Sequence, residues 1–280
     1  MLVRTGAATL GAARVASPRV DAELLLAHLL GLGRTGLISA SAVTEEVRVR
    51  FQELIAERAS GVPVQHLTGT APFRHLQLRV GAGVFIPRPE TELLVEIAAD
   101  ALAEANIVLD LCSGSGALAL SIAQELNPPR VIAVERSAAA LRWLRSNAAD
   151  RAEAGDRPIQ IIEADVDEPE LLAELTGAVD VVVSNPPYVP RTISSQLGRE
   201  IAFDPPEAVF AGPDGLALMP ALFATAARLL RPRGLFAFEH DESHPSAVAD
   251  LLTGAGAWDD VTGHRDLAGR GRFTSARRAG

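Results

Sequence analysis

Ser184-Asn185-Pro186-Pro187-Tyr188 carries the residue types best suited to chemistry in this chain. An Asn carboxamide oxygen and a neighbouring Pro carbonyl make two acceptors, matched to a substrate NH2 group that offers two donors, while Tyr188 adds an aromatic wall. An amide or exocyclic amine nitrogen is a poor nucleophile because its lone pair is delocalised. Tying both N–H bonds to fixed acceptors aims that lone pair at an electrophile, so positioning takes the place of strong base catalysis. The two prolines fix φ, lack N–H groups and push Asn185 out of the helical region, which stiffens the loop. Alone, the same five residues also read as a Pro-rich turn capping a strand, and agreement along the whole chain has to separate the two readings.

Upstream, Cys112-Ser113-Gly114-Ser115-Gly116 follows an apolar run that begins at Asp110's strand, and it precedes an apolar helix. Glycines at such a junction let backbone approach a ligand and open a helix amino terminus. The third glycine of the dinucleotide fingerprint is replaced by Ala119, which favours a nucleoside-type ligand over a dinucleotide. Glu135 stands at roughly the ~20-residue distance at which an acid meets ribose hydroxyls in nucleotide-binding α/β units. Asp165 and Val166 lie just past the next strand. Each acid could simply solubilise a strand end, yet their recurrence at successive carboxyl ends supports the ligand reading. Glu239-His240-Asp241-Glu242-Ser243-His244 has metal-like composition, but no other ligand converges on it in sequence, so no metal is expected.

Those residues need elements to hold them. Residues 179–183 form a short, β-branched, mostly apolar run that reads as a buried strand and puts Asn185 at its carboxyl end, where open α/β sheets bind ligands. Further strands are expected over 106–111, 131–134, 159–163, 235–238, 259–264 and 273–277, with helices over about 93–103, 117–126, 138–149, 218–230 and 246–252. The connection 189–215 is long and irregular, a feature of functional or disordered segments. Residues 1–70 read as helical: an acidic start at Asp21 leads an apolar helix stopped by Gly31, and Thr44 caps a second in which Val47, Phe51, Leu54 and Ile55 share a face, ending near Gly61. His28 is expected to be a partly buried histidine. Alternation over 73–80, then Gly81-Ala82-Gly83 and Val84-Phe85-Ile86, predicts a hairpin that turns at the glycines. Pro87-Arg88-Pro89-Glu90-Thr91-Glu92 starts the next helix, and an arginine between two prolines is expected to hold neighbouring loops.

Composition bounds the function. The 280 residues suffice for one large or two modest domains. Mean hydropathy is +0.18, no apolar run approaches the ~18 residues of a membrane span, and the amino terminus lacks a clean signal-peptide pattern. A cytoplasmic protein without membrane attachment is expected. Cys112 is the only cysteine, which excludes an internal disulfide and a cysteine metal cluster. All 26 basic residues are arginine, which removes lysine Schiff-base chemistry and the lysine-bearing phosphate loop. A net charge of −9 argues against stable nucleic-acid binding, which relies on basic surface.

Taken together, the motifs resemble the class I S-adenosylmethionine-dependent methyltransferases and, more narrowly, the peptide chain release factor glutamine-N5 methyltransferases of the HemK or PrmC family. The resemblance covers the Asp21 helix, the Phe73 hairpin, Ile86 to Glu92, Asp110 to Gly116, Asn185 to Tyr188, and Asp266-Leu267-Ala268-Gly269-Arg270. Phe203-Asp204-Pro205 stands where Phe-Glu-Pro is usual, and Glu239-His240-Asp241 replaces a more usual ending in glycine. The resemblance implies an α/β fold: a seven-stranded, mostly parallel Rossmann-like sheet with one antiparallel strand, and a small amino-terminal helical bundle joined by a β-hairpin. The domains implied are a helical substrate-recognition domain over 1–70, a hairpin linker over 71–88 and a methyltransferase domain over 89–280. Cys112, Ser113, Gly114, Ser115 and Gly116, with Asp110, would cradle the methionine part of S-adenosyl-L-methionine. Glu135 would bind ribose, Val166 would lie beside adenine, and Asp165 would also bind the cofactor. Asn185, Pro186, Pro187 and Tyr188 would hold the target glutamine, Asn185 also facing the cofactor, with Phe85 as a pocket wall. The expected partners are bacterial class I release factors, methylated on the glutamine of their Gly-Gly-Gln loop. A ribosomal-protein glutamine methyltransferase and a nucleic-acid amino-methyltransferase remain the alternatives.

Overall fold

The computed structural model describes residues 1–39, 43–103 and 105–280. Two compact units divide the chain, one holding residues 1–70, 80–82 and 198–203, the other 71–79, 83–197 and 204–280.

The first unit is helical: α1 (Leu2–Ala12), α2 (Pro18–Leu29), α3 (Glu45–Ser60) and α4 (Val64–Thr68). Leu10, Ala22, Leu25, Leu26, Phe51, Leu54, Ile55 and Val64 form its core, as the apolar stripe of 47–55 predicts. Thr44 caps α3 by accepting from the Val47 N–H at 3.3 Å, and Gly61 ends it with φ +113°. Pro18 starts α2 three residues before the expected acid. Asp21 is buried rather than facing solvent at the helix start, because the equally buried Arg58 of α3 pairs with it at 2.7 Å. His28 is exposed, contrary to the expectation of partial burial.

In the second unit, β1 (Thr70–Phe73) and β2 (Leu76–Arg79) form an antiparallel hairpin. Its turn is at Arg74-His75, not at Gly81 to Gly83, and residues 84–86 are not a strand. Phe73, Leu76 and Leu78 are all buried, so the inward phase shifts by one residue between 73 and 76. A tight turn with Arg74 at φ +50° makes that shift. Side-chain anchors fix it, since the Arg74 N–H donates to Glu92 Oε1 at 2.9 Å and its guanidinium donates to both Glu125 oxygens at 2.6 Å.

Seven strands follow, β3 (Ile107–Leu111), β4 (Arg130–Glu135), β5 (Gln160–Glu163), β6 (Val179–Ser184), β7 (Leu230–Glu239), β8 (Trp258–Arg265) and β9 (Gly271–Arg278), in the order β5-β4-β3-β6-β7-β9-β8. β9 runs antiparallel to both neighbours, and the other pairings are parallel. Successive strand residues face opposite sides: Val131, Ala133, Val181 and Val183 join one core with α5 (Leu93–Leu102), α6 (Ala117–Glu125) and α7 (Ala138–Glu153). Ile132, Val134, Val182 and Phe236 join the other with α9 (Met219–Leu229) and α10 (Pro245–Ala255). Helices on both faces explain why the strands read as unbroken apolar runs. The connection 189–215 contains a single short helix, α8 (Pro206–Val209), beside two 3-10 turns, and is tied down by Val189 N–H donating to Val209 O at 2.9 Å.

Candidate active site

The chain runs outward from β3 through β4 to β5, then returns to place β6 on the other side of β3. That reversal is the switch point beside which α/β sheets open a crevice at their carboxyl ends. Register makes the neighbourhood specific. Leu111 pairs with Ser184 and Ser184 with Phe238, so Cys112, Asn185 and Glu239 follow side by side along the sheet edge. Ser184 Oγ donates to Leu111 O at 2.7 Å and locks the first of these pairs.

The loop after β3 takes two left-handed residues in three, Cys112 at φ +63° and Gly114 at φ +57°. It is stitched to β4 by Ser113 N–H donating to Val134 O at 3.0 Å, and Gly116 N–H closes on Ser113 O at 2.8 Å. Gly116, at φ +88°, starts α6, and a Cβ there would meet Leu144 at 2.5 Å. Ser115 O accepts from the buried Asn147 amide at 2.9 Å. Nothing lies within 4 Å of where a Gly114 Cβ would be.

Three acids stand around this loop. Asp110 accepts the Ala119 N–H on Oδ2 at 3.1 Å, while its buried Oδ1 has no partner among the described residues. Burial, with the charge of Glu135 adding to it, pushes Asp110 up to about 7. Glu135 accepts from Gly114 N–H at 2.9 Å and from Ser137 N–H at 2.8 Å, so it braces the glycine loop, a role the sequence did not disclose. Asp165 pairs with Arg136 at 2.7 Å, and although burial alone would raise its pKa, that guanidinium holds it low. Val166 is buried, its carbonyl accepting from Thr225 Oγ1 at 2.7 Å. Burial pushes the Cys112 thiol up, which keeps it protonated and removes it as a nucleophile.

Asn185 is half-buried and donates from Nδ2 to Thr91 Oγ1 at 2.9 Å. Thr91 in turn donates to Glu239 Oε2 at 2.7 Å, and Tyr188 OH donates to Glu239 Oε1 at 2.5 Å. Burial raises the pKa of Glu239, opposed by these two hydroxyls and by the charge of Arg272. Among the described residues, neither Asn185 Oδ1 nor Pro186 O accepts a hydrogen bond. Pro186 is buried and Pro187 half-buried. Phe85, also half-buried, lies under the Arg88 guanidinium, 5.0 Å from its centroid. Arg88 pairs with the buried Asp204, whose Oδ1 accepts the Ile86 N–H at 3.1 Å. The arginine between two prolines thus joins 85–88 to the Phe203-Asp204-Pro205 loop, as its placement suggested.

Sequence reasoning gave Thr91 no role of its own and treated Glu239 as part of a metal-like run and as a departure from a pattern. A signal existed for Glu239, since it ends an apolar strand at the same sheet edge as Asp110 and Glu135. Thr91 had none, because only the fold brings it to Asn185. His240 is locked between Thr274 Oγ1 and Asp241 O, each at 2.9 Å, and no cluster of three or more His, Cys, Asp or Glu suited to a metal occurs among the described residues.

Comparison with known proteins agrees with this architecture. The family profile described as PrmC N-terminal domain matches residues 1–69, and that described as methyltransferase small domain matches 78–209. Solved structures share the fold: the hMettl16 catalytic domain in complex with an RNA hairpin has a TM-score of 0.58 at 13% identity, covering 84% of this chain and 82% of that one. The Thermus thermophilus 16S rRNA N2 G1207 methyltransferase, bound to AdoMet and guanosine, has a TM-score of 0.52 at 24% identity, covering 75% and 49%. Sequence relatives are much nearer. The release factor glutamine methyltransferase of Mycolicibacterium smegmatis is 48% identical, covering 99% of this chain and 96% of the relative. That of Mycobacterium tuberculosis H37Rv is 43% identical over 98% and 90%, and that of Streptomyces coelicolor 42% over 95% and 93%. With identity sustained through both the helical leader and the sheet, the chain belongs to the release factor glutamine methyltransferase family.

Proposed function

We propose that this protein transfers a methyl group from S-adenosyl-L-methionine to the side-chain amide nitrogen of the glutamine in the Gly-Gly-Gln loop of bacterial class I release factors, in the cytoplasm. The observation that carries the reading is Asn185. It follows β6 as Cys112 follows β3 across the Leu111 and Ser184 pairing, and among the described residues neither its side-chain oxygen nor the Pro186 carbonyl accepts a hydrogen bond.

The residues present fit the cofactor. Gly114 leaves backbone open to a ligand, and the unpartnered, buried Asp110 Oδ1 is an acceptor awaiting a donor. Residues 112–116 and Asp110 would hold its methionine part. Glu135 retains lone pairs for a ribose hydroxyl after accepting two backbone N–H groups, and the loop of Asp165 and Val166 would border adenine. S-adenosylmethionine, when bound, supplies a methyl already activated on a sulfonium.

The chain's own residues then present the amide. Asn185 Oδ1 and Pro186 O accept one hydrogen each, which turns the nitrogen lone pair toward the glycine loop. Pro186 and Pro187 keep the two acceptors at fixed separation, because neither residue can rotate φ. Tyr188 and Phe85 wall the side chain in. Residues 1–70 form the substrate-recognition domain, 71–88 the linker and 89–280 the methyl-transferring domain.

Incubation with a class I release factor and labelled cofactor tests the proposal, with ribosomal proteins and ribosomal RNA in parallel. Label on the Gly-Gly-Gln glutamine is the expected result. Cofactor binding without that label, or label on the ribosomal components alone, rejects it.

A further inference from the structure

Glu239 is buried at the carboxyl end of β7 and, among the described residues, hydrogen-bonds through its side chain to Thr91 and Tyr188 rather than to the glycine loop or Asn185. Both of its oxygens accept a hydroxyl proton, one from Thr91 and one from Tyr188, and with Glu239 ionised both contacts must run in that direction. Such a group can only accept. The single Thr91 proton is therefore committed to Glu239, and the Thr91 oxygen is left to accept from its other neighbour.

That neighbour is the Asn185 carboxamide, at 2.9 Å. Its two ends are almost equal in shape and opposite in hydrogen bonding. With Nδ2 against Thr91, Oδ1 points away and can accept a substrate N–H. Turned over, Oδ1 would face the Thr91 oxygen, two acceptors in contact, and Nδ2 would meet the substrate NH2 donor to donor.

We propose that Glu239, acting through the Thr91 hydroxyl, sets which end of the Asn185 carboxamide faces the substrate. Glu239 is on this account a positioning residue: its charge fixes the direction of each hydrogen bond from β7 through Thr91 to the sheet edge. The Tyr188 hydroxyl occupies the other Glu239 oxygen. The inference rests on the proposed role of Asn185 in gripping an amide.

Glu239→Gln keeps the shape and removes the direction. Its amide offers one acceptor end to two hydroxyls, so its NH2 must face Thr91 or Tyr188, and where it faces Thr91 it frees the Thr91 proton for Asn185 Oδ1. Expected results are a kcat at least tenfold lower on release factor, with cofactor affinity within about threefold of wild type and an unchanged melting temperature. Thr91→Val should lower kcat likewise, with a lower melting temperature because the buried Glu239 loses a hydroxyl partner, and Thr91→Ser, which keeps the hydroxyl, should stay within about threefold of wild type. The double variant Glu239→Gln/Thr91→Val should lose no more than the worse single variant, because both cut one chain. Equal kcat in Glu239→Gln, or losses that multiply in the double variant, would overturn the relay. A readout independent of turnover is the side-chain NH2 resonance pair of Asn185, assigned by its loss in Asn185→Ala. It should be a single pair in wild type and shifted or doubled in Glu239→Gln, and an unchanged pair refutes the proposal even if the release factor is not the substrate.

Discussion

At the scale of single residues, the proposed site would work by placing acceptors rather than by offering a strong base. Asn185→Ala removes one of two acceptors and leaves the glycine loop untouched. The expected outcome is a kcat lower by ~100-fold or more with cofactor affinity within roughly tenfold, read by single-turnover transfer beside calorimetric titration. Asp110 makes a different prediction. Its carboxyl is pushed from the ordinary 3.8 up to about 7 by burial, so folding favours the protonated form. That advantage is complete below the ordinary value and disappears as pH rises to about 7, a swing on the order of 4 kcal/mol in the ligand-free protein. Asp110→Asn still accepts from Ala119 and does not titrate, so its urea midpoint should fall less than that of wild type between about pH 4 and 7. Identical pH profiles would contradict the burial argument. The strand-end position of Asn185 was legible from residue type and pattern, whereas Asp110 was singled out only by the family resemblance. The role of Thr91 was not legible, because a lone threonine in a helix-starting run carries no mark of what it will touch.

Among the elements, the strands and long helices of the sheet follow from apolar runs broken at glycine, proline and acid. The hairpin did not follow, and the reason is local. An alternation read over 73–80 passes smoothly through Arg74-His75, whereas the chain turns there because Glu92 and Glu125, 18 and 51 residues away, take the Arg74 backbone and guanidinium. Contacts that distant leave no periodic trace. The same holds for the Arg88 and Asp204 pair, which connects the run before α5 to the loop after β6 across 116 residues of sequence. Asp204 has no exposed side-chain surface, and removing Arg88 takes away a charge that pairs with it there. Arg88→Ala should therefore destabilise the protein by about 2–4 kcal/mol, and Arg88→Lys by less, in equilibrium denaturation. It should also lower transfer to the release factor, since Phe85 loses the guanidinium stacked over it.

For the whole molecule, a net charge of −9 disfavours binding to a polyanion. A tenfold excess by mass of transfer RNA or duplex DNA at physiological salt should leave transfer to release factor unchanged, and strong inhibition would point to a nucleic-acid surface. The fold class was available from the amino-acid sequence because burying a sheet on both faces demands continuous apolar strands, and crossovers demand helices between them. So was the chemistry of the Asn185 loop, since prolines and an amide have the same hydrogen-bonding character wherever they stand. Strand order and register came only with the tertiary structure. They decide that β6 returns beside β3, that Asn185 stands between Cys112 and Glu239, and that a buried carboxylate reaches the amide through Thr91. The physical reason is that pairing between strands far apart in sequence depends on which surfaces bury together, and no local pattern of residues encodes that choice.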